Sequence, residues 1–119
     1  MEEASIIERP FGAPTLKGDV LVPSIRLIID TVCVQYNLSY VEICGNCRQR
    51  HLIVPRHIAY WLCKKLTMAS YPEIGRKFNN RDHTTIMHGA KKIQIEVDAK
   101  TWIGDDAQTL AKYILEDMQ

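Results

Sequence analysis

No apolar run in the sequence is long and uninterrupted enough to span a bilayer, so no membrane-crossing helix is expected. The first ten residues, MEEASIIERP, hold three glutamates and lack the basic start of a secretory signal, which points to a cytoplasmic protein. There is no GxxxxGK loop followed by Ser or Thr, so the usual phosphate cradle for a nucleotide is missing and no nucleotide or other cofactor is expected. The four histidines all fall between His51 and His88, none at a diagnostic spacing from a nucleophile or an acid pair. That argues against an enzyme. Cysteine is sparse too: Cys44 and Cys47 form one Cys-x-x-Cys pair with His51 nearby, but a second pair at finger spacing is absent and no βαβ pattern surrounds it. Neither a zinc module nor a redox motif is complete, and no metal is assigned.

What remains is an ordinary globular composition, 46% hydrophobic and 24% charged, in 119 residues, enough for one modest core. Net charge is almost absent at +1, yet it is unevenly placed. Between Cys44 and Lys92 lie ten of the fifteen basic residues against two acids, Glu73 and Asp82, so that segment carries +8 and the rest −7. One strongly positive face with acidic ends is the electrostatic footprint of a phosphate-binding protein.

The chain is organised around Ser70 to Ile93, SYPEIGRKFNNRDHTTIMHGAKKI. Ser70 and Glu73 have capping-box spacing and Pro72 suits a first turn, so a short helix starts there. Gly75, between Ile74 and Phe78, permits a neighbouring backbone to come close. Asn79 and Asn80 tolerate left-handed backbone and can turn the chain, after which Asp82 caps a second helix with Ile86, Ala90, Ile93 and Val97 as its apolar stripe. Such a pair is a helix-turn-helix, whose second helix enters the major groove head first. Asp, His and Thr side chains at that head can read base edges. His88, five residues beyond His83, falls on another side of the helix and reads as structural.

The segment PEIGRKFNNRDHTTIMH, together with the upstream run Val54-Pro55-Arg56-His57-Ile58-Ala59, resembles the C-terminal DNA-binding domain of the bacterial replication initiator DnaA, over roughly Ser24 to Ile93. The resemblance implies an all-α, helix-turn-helix bundle that binds double-stranded DNA at DnaA-box-like sites. It implies base contacts from Arg48, in the minor groove, and from Arg81, Asp82, His83 and Thr84. Backbone contacts would come from Arg50, Arg56, His57, Lys64, Thr67, Pro72 and Thr85, although His57 also reads as a surface histidine and Thr85 as a helper of the helix cap. Regulation of replication or transcription without ATPase activity would follow, in the cytoplasm on the nucleoid. Cys44 and Cys47 depart from the family, whose members tend to carry Ser and Lys there. The other reading is a protein interaction module that keeps the fold and has lost DNA.

Around this centre, residues 1–23 read as an extended, mobile arm, residues 24–99 as the DNA-binding domain and residues 100–119 as a helical extension. Ser24 caps a helix from Ile25 to about Tyr36, which Asn37 ends, and Ser39 with Glu42 starts a short one. A further helix, with Pro55 in its first turn, runs to about Leu66, and Trp61 reads as core. Cys33 and Cys63 read as small buried side chains. Lys100 to Gly104 break the chain and Asp105 caps a last helix. Its face of Ala107, Leu110, Ala111, Ile114 and Leu115 either packs on the domain or serves a protein partner or a second copy.

Overall fold

Each expected serine cap starts a helix in the computed structural model, which describes residues 15–17, 20–46 and 48–117. Ser24 Oγ accepts from the Leu27 amide at 3.0 Å and opens α1, Ile25–Tyr36. Asn37 closes it in left-handed conformation, φ 56°. Ser39 and Glu42 form a complete capping box on α2, Tyr40–Cys44. A 3-10 turn, Arg50–Leu52, leads into α3, Ile53–Leu66. Ser70 and Glu73 cap α4, Tyr71–Lys77, and Asp82 caps α5, His83–Ala99. The last helix is α6, Trp102–Asp117.

Two details differ from the sequence reading. Within the segment read as an extended arm, β1, Thr15–Lys17, pairs antiparallel with β2, Val20–Val22, while residues 1–14 lie outside the described part. The cap of α6 is Thr101 rather than Asp105. Lys100 takes a left-handed turn at φ 59°, its amide and that of Thr101 close the end of α5, and Thr101 Oγ1 accepts from the Gly104 amide at 3.3 Å. A lysine at that position costs more than a glycine, but it ends the helix at once, so the next residue must cap.

α3 is the hub, packing against α1, α2, α4, α5 and α6. Ile58, Ala59, Leu62 and Cys63 are wholly buried and Tyr60 and Trp61 nearly so, which leaves α3 apolar on more than one face because it has neighbours on more than one. α6 folds back on the bundle, burying Ala107, Leu110, Ala111 and Ile114, and Tyr36 Oη donates to Asp106 Oδ2 at 3.0 Å. The extension is thus part of this core, although Leu115 and Trp102 stay exposed. Cys33 and Cys63 are buried free thiols as expected, and burial pushes the Cys33 thiol up to about 11. Among the described residues no helix is long and apolar enough to cross a membrane.

The turn between α4 and α5 sets the position of the second helix. Asn79 and Asn80 both take left-handed backbone, φ 62° and 57°, and the Arg81 amide then donates to Gly75 O at 2.9 Å. A Cβ on Gly75 would collide with the Arg81 carbonyl oxygen. Helix propensity alone would favour alanine over glycine by about 1 kcal/mol. Here the obstacle is backbone, which cannot rotate away, so overpacking at about 1–3 kcal/mol exceeds that gain. Gly75→Ala is therefore expected to lower the urea unfolding midpoint; a midpoint equal to or above that of the parent chain would contradict the packing described here.

Candidate nucleic-acid interface

The head of α5 is organised by Asp82. Its Oδ1 accepts from the Thr84 amide at 2.9 Å and from Thr84 Oγ1 at 2.8 Å, and lies 3.4 Å from His83 Nδ1. These bonds, the backbone one first, hold the Asp82 carboxyl below the usual carboxylate range. All three contacts fall on one oxygen, which leaves the other to accept from an outside donor. Thr84 gives its hydroxyl proton to Asp82, so it presents its methyl and its lone pairs. His83 and Thr85 are exposed beside them.

Arg81 and Arg56 are placed differently from their expected roles as outward contacts. Arg81 Nη1 donates to Tyr60 Oη at 2.6 Å, and Nη2 donates to Gly45 O and, at 3.4 Å, to Cys44 O. Arg56 Nε donates to Ile43 O at 3.0 Å, and Nη2 to Glu42 O at 2.6 Å and Gly45 O at 3.2 Å. The Val41 carbonyl takes the Gly45 amide at 2.7 Å. Every carbonyl from Val41 to Gly45 thereby has a donor, and the negative end of the α2 dipole faces two guanidinium groups. Their placement has a physical reason: a five-residue helix ends with carbonyls in a partly buried place, and only a donor fork can satisfy several of them at once.

These two side chains form the floor of a polar concavity walled by Arg48, His57, Tyr60 and Thr85, which the same guanidinium network joins to the α5 head. Arg48 and Arg50 are exposed, one on the loop and one opening the 3-10 turn. His57 is no surface histidine. It is half-buried where α3 crosses α5, its ring 6.0 Å from that of Tyr60, and Gly89 makes the room, since a Cβ there would meet both rings. Tyr60, which the sequence reading passed over, is buried and links Arg81 to α3. Its phenol was the one sign in the sequence of a polar task.

On the other flank, Thr67 Oγ1 donates to Cys63 O at 2.6 Å and accepts from the Ala69 amide at 3.1 Å, shaping the turn between α3 and α4. Lys64 reaches the same turn, 3.5 Å from Ala69 O and 4.6 Å from the centre of the Tyr71 ring. Pro72 is exposed in the first turn of α4. Trp61 is core, with Nε1 donating to Gln94 at 2.9 Å. His88 is exposed, contrary to the structural reading, on a different side of α5 from His83. Cys47 lies outside the described residues. Cys44 is buried, its thiol 3.9 Å from Lys77 O, and burial pushes it up. Among the described residues no three metal-ligating side chains gather.

Comparison with known proteins agrees with this geometry. Residues 25–93 match the family model described as bacterial DnaA protein helix-turn-helix. The chain is 42% identical over 85 residues to the chromosomal replication initiator protein DnaA of Jannaschia sp. and 42% identical over 86 residues to that of Agrobacterium fabrum. These alignments cover 71% and 72% of this chain but 18% of each relative. A crystal structure of a DNA replication initiation factor superposes with a TM-score of 0.70 at 27% identity, over 80% of this chain and 29% of that one.

Two outcomes follow from the site. Arg81→Met removes every guanidinium donor of Arg81, strands the Cys44 carbonyl and leaves the Gly45 carbonyl to Arg56 alone, so stability should drop by about 2 kcal/mol in urea unfolding, whereas Tyr60→Phe, which leaves Arg81 its carbonyls, should cost about 1. Equal effects would mean that the phenol, not the α2 carbonyls, is the main partner. The second concerns pH. Burial first, then the charges of Lys92 and Arg56, hold the His57 imidazole below its ordinary 6.5. As pH falls through that value the unfolded chain takes up a proton and the folded chain does not, so stability is present above it and declines below it. His57→Gln should flatten the decline between pH 7 and the lowered folded value; an unchanged slope would remove His57 as its cause.

Proposed function

The chain belongs to the bacterial DnaA helix-turn-helix family, and from that premise we propose that it binds double-stranded DNA sequence-specifically, at DnaA-box-like sites. The observation that carries the reading is the joint presentation of the α5 head and the Arg48 loop, tied together by Arg81. α5 enters the major groove with Asp82, His83 and Thr84 foremost. The unengaged oxygen of Asp82 suits a cytosine amino group, and the Thr84 methyl suits that of thymine. Arg48 reaches the adjacent minor groove, where a narrow A·T-rich tract concentrates negative potential. Arg50, His57, Lys64, Thr67, Pro72 and Thr85 position the protein on phosphates. Arg81 serves base readout from inside, by fixing α5 against the loop, and Arg56 joins it while adding positive charge beneath the groove.

The chain spans 18% of the length of the DnaA proteins it matches, so the activity of those whole proteins is not assigned to it. We place the function in regulating replication initiation or transcription by occupying boxes, as a DNA-binding module rather than an enzyme, in the cytoplasm on the nucleoid. Binding to a labelled box duplex and to a scrambled duplex, each over a salt series, tests the reading. The box should be preferred by about a thousandfold or more. Arg48→Ala and His83→Ala should each weaken box binding by about 1–3 kcal/mol and narrow the preference. No binding to either duplex at low salt would leave the protein interaction module as the reading.

A further inference from the structure

Behind the α5 head, the end of α3, the turn after it and the middle of α5 enclose a second concavity, lined by Trp61, Lys64, Lys65, Tyr71, Lys91 and Gln94. Lys64 and Lys65 are neighbours in sequence and would point about 100° apart on a helix, yet both face this hollow. Aromatic rings account for it. The Lys64 ammonium lies over Tyr71, and the Lys65 ammonium is 5.4 Å from the centre of the Trp61 ring. Trp61 is itself held by Gln94, whose amide nitrogen donates to Asp98 at 2.9 Å. No carboxylate is among the lining residues. Three ammonium groups brought together without a counter-charge repel one another, an arrangement that an anion relieves.

We propose that this hollow is a seat for a backbone phosphate of the bound duplex, with Lys65 and Lys91 as its ligating side chains beside Lys64. The inference rests on the DNA reading above and extends it to residues that the helix-turn-helix pattern does not single out. Lys91 follows His83 by eight residues, about 12 Å along the α5 axis at 1.5 Å per residue. The major groove is about 12 Å wide. With His83 at the bases, Lys91 stands back at the wall of the groove, where the phosphates run. Lys65 faces it from α3, so the two ammonium groups can take one phosphate between them or two in succession. Among the described residues neither side chain has a hydrogen-bonded protein partner that the phosphate would have to displace. Such contacts are blind to base identity, so they add affinity and leave the choice of site to the α5 head.

The test uses the full chain and a box duplex, with Lys65→Gln, Lys91→Gln, the double variant and Lys112→Gln, an exposed lysine on α6, as the control. Binding of the parent chain to the box establishes the DNA reading independently of the seat. Given that, the double variant should reduce the slope of log affinity against log salt by about 1.8, so that the parent loses roughly 12-fold more affinity than the variant between about 50 and 200 mM salt. Preference for box over scrambled duplex should stay the same. Methylphosphonate placed at one backbone position at a time should reveal one or two positions that weaken the parent and not the double variant. An unchanged slope, an equal effect of Lys112→Gln, a loss of preference, or no such backbone position would each overturn the seat.

Discussion

The interface depends on the satisfaction of one helix end. α2 has five residues, too few to hold its shape by its own hydrogen bonds, and it stops with its C-terminal carbonyls pointing into the fold. Arg56 comes from α3, Arg81 from the turn before α5, and their guanidinium groups converge on those carbonyls. Three elements far apart in sequence are thereby fixed around one point. The loop carrying Arg48 leaves from that point, and the helix carrying His83 starts next to it. Charge-assisted bonds of this kind contribute about 1.5–3 kcal/mol each. A neutral donor could replace the energy of one of them but not the fork that reaches two carbonyls together.

A second constraint comes from the close approaches that let helices cross. Gly75 lies against the Arg81 carbonyl, Gly89 against His57 and Tyr60, and Gly104 against the backbone of Glu96 and Val97. Each puts a backbone where a methyl group would otherwise hold it off, and each sits on α4, α5 or α6 rather than on the hub. At Gly89 the gap accepts His57 and Tyr60 of α3, while at Gly75 and Gly104 it accepts the backbone before and at the end of α5. The site is therefore built on rigid crossings, with Arg48 as the part most dependent on loop geometry.

Much of the fold was legible because its signals are local. Ser24, Ser39, Ser70 and Asp82 cap through bonds spanning two or three residues, and Asn37, Asn79 and Asn80 turn the chain with their own backbone. Thr101 was hidden behind Trp102 and Ile103, since apolar residues right after a cap look like the end of something rather than the start. The roles of Arg56 and Arg81 were not legible at all. A basic residue beside a helix-turn-helix pattern looks like a DNA contact, as Arg81 did to a base and Arg56 to the backbone, and the carbonyls that both also hold are groups every residue has, which leave no trace in the sequence. The carbonyls Arg81 holds are 36 and 37 residues away. His57 and Tyr60 were obscured in the same way, because their setting comes from a crossing that Gly89 allows on another helix.

The near-neutral total charge then has a mechanical reading. Of the ten basic residues in the central segment, Arg56 and Arg81 are already bonded within the protein, and Lys64 and Lys65 are held over rings. Held cations lose less side-chain freedom when a phosphate arrives than free ones do, so each contact returns more of its attraction as affinity. Meanwhile α6 carries Asp105, Asp106, Glu116 and Asp117 against one lysine, and its first turn lies against the C-terminal end of α5. A chain whose charge is segregated in this way is oriented by a polyanion before it touches it. Total charge governs how strongly a protein clings to any nucleic acid; its separation governs which face arrives first. With a balance near zero and its basic residues concentrated in one segment, indiscriminate attraction would stay low while the basic segment is still drawn to a polyanion, the condition under which a few base contacts of the kind proposed could decide where the protein stays.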